Sequence, residues 1–168
     1  MTRRVVTGYK DGKATLLHDG PAPNRKLRQA SGLVSTLLWV TDEAPADISG
    51  SVDRAEREIG VPPPPRGSIF RVVEFPPGRR EMSREAVLTE MGLSQQGITG
   101  HPGMHRTRSV DYAVVMEGEI DMLLDDCEVH LSAGDVLVQQ GTNHAWVNRG
   151  TRPCRIAFVL IDAKELPA

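Results

Sequence analysis

Residues 100–118 read GHPGMHRTRSVDYAVVMEG, and residues 134–148 read GDVLVQQGTNHAWVN. In an extended strand, side chains two apart share a face. An unbroken strand through the first stretch sends His105, Thr107, Asp111, Ala113 and Val115 to one side and Tyr112 to the other. In the second stretch His144, Trp146 and Asn148 share a face. Two imidazoles and one carboxylate converging inside a barrel make a two-histidine, one-carboxylate donor set from His105, Asp111 and His144. That set suits iron(II), and also manganese, nickel or zinc. Imidazole supplies nitrogen, carboxylate supplies charge, and the positions left open take water or substrate.

Working outward, short apolar runs alternate with turn signals. After 110–117 come expected strands at 119–124, 127–131, 135–140, 144–148 and 153–161. Glu117-Gly118, Asp125-Asp126, Ala133-Gly134, Gly141-Thr142 and Arg149-Gly150 separate them. Many short strands with close turns predict an all-β sandwich or barrel. Upstream, 68–75 (SIFRVVEF) and 35–41 (STLLWVT) read as strands, and 3–8 with 13–18 as a hairpin around Lys10-Asp11-Gly12. One helix is expected at 83–92, capped by Ser83 and ended by Gly92, with a second helical turn near Val52–Glu58. The tetraproline at 62–65 excludes helix there. The expected organisation is an N-terminal arm, 1–65, whose strands pack on the barrel or across a dimer, and a barrel, 66–168.

A net charge of −2 with no basic stripe argues against nucleic acid as the partner, because phosphate binding needs clustered cations. Arg3-Arg4, Arg25-Lys26 and Arg79-Arg80 are short, scattered pieces, read as solvated surface. No apolar run approaches the roughly 20 residues that span a bilayer, and the N-terminal residues do not form a signal peptide. Cys127 and Cys154 lack metal or disulfide spacing and read as small buried hydrophobes, so the expected setting is the reducing cytoplasm. His18 and His130 stand outside any constellation and read as surface.

The two quoted stretches resemble the two motifs of the cupin superfamily, in its small single-domain form. His105 matches the first histidine of the first motif, Thr107 stands where a second histidine belongs, Asp111 falls at the glutamate and Gly118 at the closing glycine. Gly134, Gly141, His144 and Asn148 match the second motif, with Gln139 at its proline. The resemblance implies a jelly-roll, double-stranded β-helix barrel, often dimeric, with a pocket that holds a divalent transition metal. Two departures bear on the metal. Thr107 removes one nitrogen ligand, and Asp111 reaches roughly 1.5 Å less far than glutamate; His101 in the preceding loop is the candidate replacement.

Three functions follow from this reading. The first is a metal-assisted lyase or decarboxylase, isomerase or dioxygenase acting on an aromatic, polyketide or keto-acid compound. His105 and His144 are then catalytic, and Thr107, Trp146 and Arg71 bind substrate, Arg71 by holding a carboxylate. The second is metal-free acid–base chemistry by the same imidazoles, which titrate near neutrality when unperturbed. The third is a non-catalytic small-ligand binder, such as a sensor or pathway accessory protein. The apolar content of 3–18 and 35–41 predicts that these strands pair with the barrel, and the resemblance implies that they do so across a homodimer.

Overall fold

The computed structural model describes residues 1–78, 81–94 and 98–165. Arg79 and Arg80, expected as surface, and the last three residues of the expected barrel segment lie outside the described residues. The architecture is all-β. In chain order the strands are β1 (Arg3–Lys10), β2 (Lys13–Pro21), β3 (Arg25–Leu27), β4 (Val34–Thr41), β5 (Ser68–Phe75), β6 (Ser109–Glu117), β7 (Glu119–Leu123), β8 (Glu128–Ser132), β9 (Val136–Gln140), β10 (Ala145–Val147) and β11 (Cys154–Asp162). One helix, α1 (Arg84–Met91), interrupts them.

A six-stranded sheet in the order β3-β4-β5-β11-β6-β9 faces a three-stranded sheet, β10-β7-β8. The alternation that the sequence shows in β6 is realised: Ser109, Asp111, Ala113 and Val115 are buried, and Tyr112, Val114 and Met116 are exposed. Inward residues of both sheets interdigitate, with Phe75, Ala113, Val115 and Ile156 from the large sheet meeting Ile120 and Leu131 from the small one. Fully burying a side chain such as Ile69, Ile120 or Ile156 contributes roughly 1.5–3 kcal/mol. β4 pairs with β5 along its length, so part of the N-terminal segment belongs to the main sheet. The β1–β2 hairpin forms its own two-stranded sheet.

Gly118 closes the β6–β7 turn. Its φ of 79° is left-handed, and a Cβ there would lie 2.7 Å from the Pro153 carbonyl oxygen, so only glycine fits without strain. Helix α1 begins as expected: the Ser83 hydroxyl accepts a bond from the Ala86 N–H, and Gly92 ends the helix at φ 72°. It buries Val87 and Leu88.

The structure corrects several expectations. Val52–Glu58 forms turns, not helix, because the Asp53 carboxylate accepts the Ala55 N–H at 2.9 Å and offers the backbone a local alternative. Arg4 is buried: its guanidinium donates to the Leu38 carbonyl at 3.0 Å and to the Asp53 carboxylate at 2.8 Å. Arg3 is exposed and pairs with Asp19. Cys154 is buried, whereas Cys127 is exposed in the β7–β8 turn, where Leu124 N–H bonds its carbonyl. His18 is half-buried. His130 is exposed, as expected, and bonds Asp121 at 2.8 Å. The three-residue β3 was not foreseen; it is short, polar and mostly exposed.

Candidate functional site

His105 and His144 meet across an isolated antiparallel bridge, with their backbone N–H and C=O groups exchanged at 2.9 Å in both directions. The pairing places their rings 4.4 Å apart between centroids, tilted by 50°. Each Nδ1 lies against a carbonyl two residues away, His105 on Gly103 at 2.7 Å and His144 on Thr142 at 3.0 Å. A carbonyl only accepts, so in the neutral ring Nδ1 carries the proton and Nε2 keeps its lone pair. Burial pushes both histidines down. Burial and then the facing His105 push His144 down to about 3, and burial is likewise the larger cause at His105. Both rings are therefore neutral imidazoles at neutral pH, and charging one opposes charging the other.

His105 forms part of the wall of a cavity of about 1160 Å³. Other walls come from the β5 end (Phe75, Pro76), from helix α1 (Val87, Met91) and from β10 (Trp146). Trp146 packs edge-on against His144 at 6.1 Å and Phe158 at 5.6 Å, and lies 6.1 Å from Phe75. The imidazole pair thus backs onto an aromatic cluster. His101 also lines the cavity; its Nδ1 accepts the Gly103 N–H at 3.0 Å, which ties the ring to the loop.

Asp111 faces the interior, and both its oxygens are taken. Ser109 Oγ donates to one at 2.5 Å and Gln139 Nε2 to the other at 3.2 Å. Thr107 Oγ1 joins Ser109 Oγ at 2.7 Å, so Thr107, Ser109, Asp111 and Gln139 form one buried polar chain. Burial pushes the Asp111 carboxyl up to about 6, against the pull of the Ser109 hydroxyl and the Arg71 charge. Among the described residues no group of three or more His, Cys, Asp and Glu side chains is placed to hold a metal ion. The expected His105–Asp111–His144 triad is thus not brought together, and His101 does not complete it. Among the described residues, the donor set on offer to a divalent metal is the two imidazole nitrogens, each ring anchored through Nδ1 in the way imidazole ligands are usually held.

The remaining candidates separate. Trp146 lines the cavity. Thr107 is buried with its hydroxyl engaged by Ser109, away from the cavity wall. Arg71 faces the interior, cross-strand from Leu37 and Phe158, but lines a different, smaller cavity. Asn148 acts as a staple: its amide donates to the Phe75 and Arg152 carbonyls at 3.0 and 2.8 Å and accepts the Gly150 N–H at 2.9 Å. Sequence reasoning missed Ser109 and Gln139. The only signal was the parity Ser109 shares with Thr107 and Asp111.

An all-β jelly roll with a pair of facing histidines in its interior is the construction of a cupin, and the comparisons agree. A family model described as Cupin domain matches residues 91–161. The cupin-domain-containing oxidoreductase srdD of Neurospora crassa is 31% identical over 97% of this chain and 76% of its own length. Oryzines biosynthesis cluster protein J of Aspergillus oryzae is 30% identical over 98% and 84%. Among solved structures, a putative ethanolamine utilization protein Q from Salmonella typhimurium aligns over 98% of both chains with a TM-score of 0.52 at 12% identity, a likeness of fold alone. The chain belongs to the cupin family.

Proposed function

We propose that this cupin is a small-molecule enzyme that acts on an aromatic or polyketide-type compound, with His105 and His144 as its reacting groups. The carrying observation is the pair of neutral imidazoles, each fixed through Nδ1: His105 stands at the wall of the large cavity beside Phe75 and Trp146, and His144 packs directly behind it. Relatives named as cupin-domain-containing oxidoreductases support an enzymatic role, and relatives named as biosynthesis cluster proteins support a secondary metabolite as substrate. A divalent transition metal (iron, manganese, nickel or zinc) bound at the two Nε2 atoms would supply Lewis acidity or dioxygen chemistry.

The chain's own residues contribute in three ways. Neutral Nε2 atoms accept a proton from a carbon acid or hydroxyl without first having to lose one. Trp146 and Phe75 offer faces and edges to orient an aromatic ring. Val87 and Met91 from α1 supply apolar wall that disfavours water. Acid–base chemistry without metal is the second reading, and one observation favours it: Ser109 and Gln139 hold both oxygens of Asp111 away from the imidazoles.

The test follows exchange of the α-protons of acetophenone for deuterium by NMR, alongside metal analysis of protein purified without chelator. Wild type is expected to accelerate exchange, and a His105→Ala, His144→Ala double variant is expected to lose the acceleration. Equal rates for the two proteins would remove the proposal. Stoichiometric metal that disappears in the double variant supports the metal-assisted form, and full activity without metal supports the second reading.

A further inference from the structure

We propose that the small cavity at Arg71 is a second binding site, one for a compact oxyanion. It shares no lining residue with the large cavity, and its walls include Asn24, Lys26, Arg28, Ser35, Arg57 and Arg71. Four of these six are cations. Lys26 and Arg57 have carboxylate partners in Glu58 and Asp42, the latter at 2.8 Å. Arg28 and Arg71 do not. Arg28 donates to the Glu90 carbonyl at 2.9 Å and Arg71 to the Gly60 carbonyl at 2.6 Å, and among the described residues neither makes an ion pair.

Arg71 is only 5% exposed, and its Nε is buried without an acceptor. Leaving a buried donor without an acceptor destabilises the fold, and more so when the group is charged. Burial and then the nearby Arg28 charge lower the Arg71 pKa to about 10, which still leaves the guanidinium protonated at neutral pH. The carboxylate that attracts Arg71, Asp111, already has both oxygens engaged by Ser109 and Gln139. An oxyanion in the cavity offsets the charge of two guanidiniums, Arg28 and Arg71, that make no ion pair among the described residues. Guanidinium and carboxylate or phosphate oxygens match in geometry as well as sign.

The interior of about 10 Å³ holds little more than one water-sized group. The ligand therefore inserts one carboxylate edge or one phosphate oxygen and leaves the rest of itself at the mouth. Two sources carry this chemistry, the carboxylate of a small organic acid and inorganic phosphate.

Thermal unfolding of the full chain separates them. Wild type is titrated with sodium formate and, separately, with sodium phosphate, at ionic strength held constant with sodium chloride. A saturable rise in Tm is expected in at least one series, because a ligand bound only to the folded state stabilises it by mass action. A rise with formate alone identifies a carboxylate site, and a rise with phosphate alone an inorganic one. Arg28→Gln, at a half-buried position that leaves the Arg71–Gly60 bond in place, is expected to weaken the apparent affinity at least about tenfold, which is about 1.4 kcal/mol. Arg71→Gln is expected to abolish the response. No saturable rise with either anion, or an unchanged rise in Arg28→Gln, would overturn the proposal. Both outcomes are readable whatever reaction the imidazole cavity performs.

Discussion

Replacing Asp111 by asparagine is expected to stabilise the protein at alkaline pH and to leave acid stability nearly unchanged. The folded-state carboxyl titrates at about 6 rather than the ordinary 3.8, with burial as the first cause. A raised pKa means that the folded chain binds the proton more tightly than the unfolded chain does. Stability from this group is then fully present below the unfolded pKa and is lost as pH rises through about 6. The gap of about 2 pH units corresponds to about 3 kcal/mol at ~1.36 kcal/mol per unit, an upper bound for one buried group. Asparagine is a permanently neutral stand-in. Its oxygen can accept from Ser109, and the Gln139 amide can turn over to present its own oxygen to the new NH2 group. The assay is urea unfolding of wild type and Asp111→Asn at pH 4, 6 and 8, with activity followed in parallel. The expected difference favours the variant by up to about 3 kcal/mol at pH 8 and shrinks toward zero at pH 4. A variant less stable than wild type at pH 8, or a difference independent of pH, would refute the reasoning. It would mean that Arg71 and Ser109 hold the carboxylate ionised more strongly than burial opposes it.

Two further outcomes are expected. Asn148→Ala removes three hydrogen bonds that tie the turn after β10 to the end of β5, so it is expected to cost about 3 kcal/mol by denaturant unfolding at roughly 1 kcal/mol each. A loss of under about 1 kcal/mol would show that water replaces the staple. The homodimer expected from the sequence predicts a light-scattering mass near twice the 18.4 kDa chain at micromolar concentration, and a single-chain mass would contradict it.

The fold was legible because its signals are local. Period-two burial in β6, glycine at the β6–β7 turn and the Ser83 and Gly92 caps of α1 each depend on a few neighbouring residues and a backbone preference. The histidine pair was legible for a related reason, since motif spacing puts both rings on inward faces and the bridge between residues 105 and 144 does the rest. The fate of Asp111 was not legible, because it depends on register between strands. In the β6–β9 pairing Asp111 stands opposite Gln139, and slipping that pairing by one residue would turn the glutamine to the other face. Arg4 and Arg71 were opaque for a different reason: their partners, Asp53 and the Gly60 carbonyl, come from a loop whose path no periodicity announces. Thr107 connects the legible and the illegible parts. With a short hydroxyl in place of a second imidazole, Ser109 bridges positions 107 and 111 along one strand face. The residue that departs from the motif thus joins, through Ser109, the same buried chain that holds the carboxylate. Burying a carboxyl whose ionised form destabilises the fold is a local violation of the kind proteins retain at working sites. The Asp111→Asn variant therefore tests function as well as stability: a gain in stability with a loss of activity would place Asp111 in the chemistry, and a gain with activity intact would leave it a structural remnant.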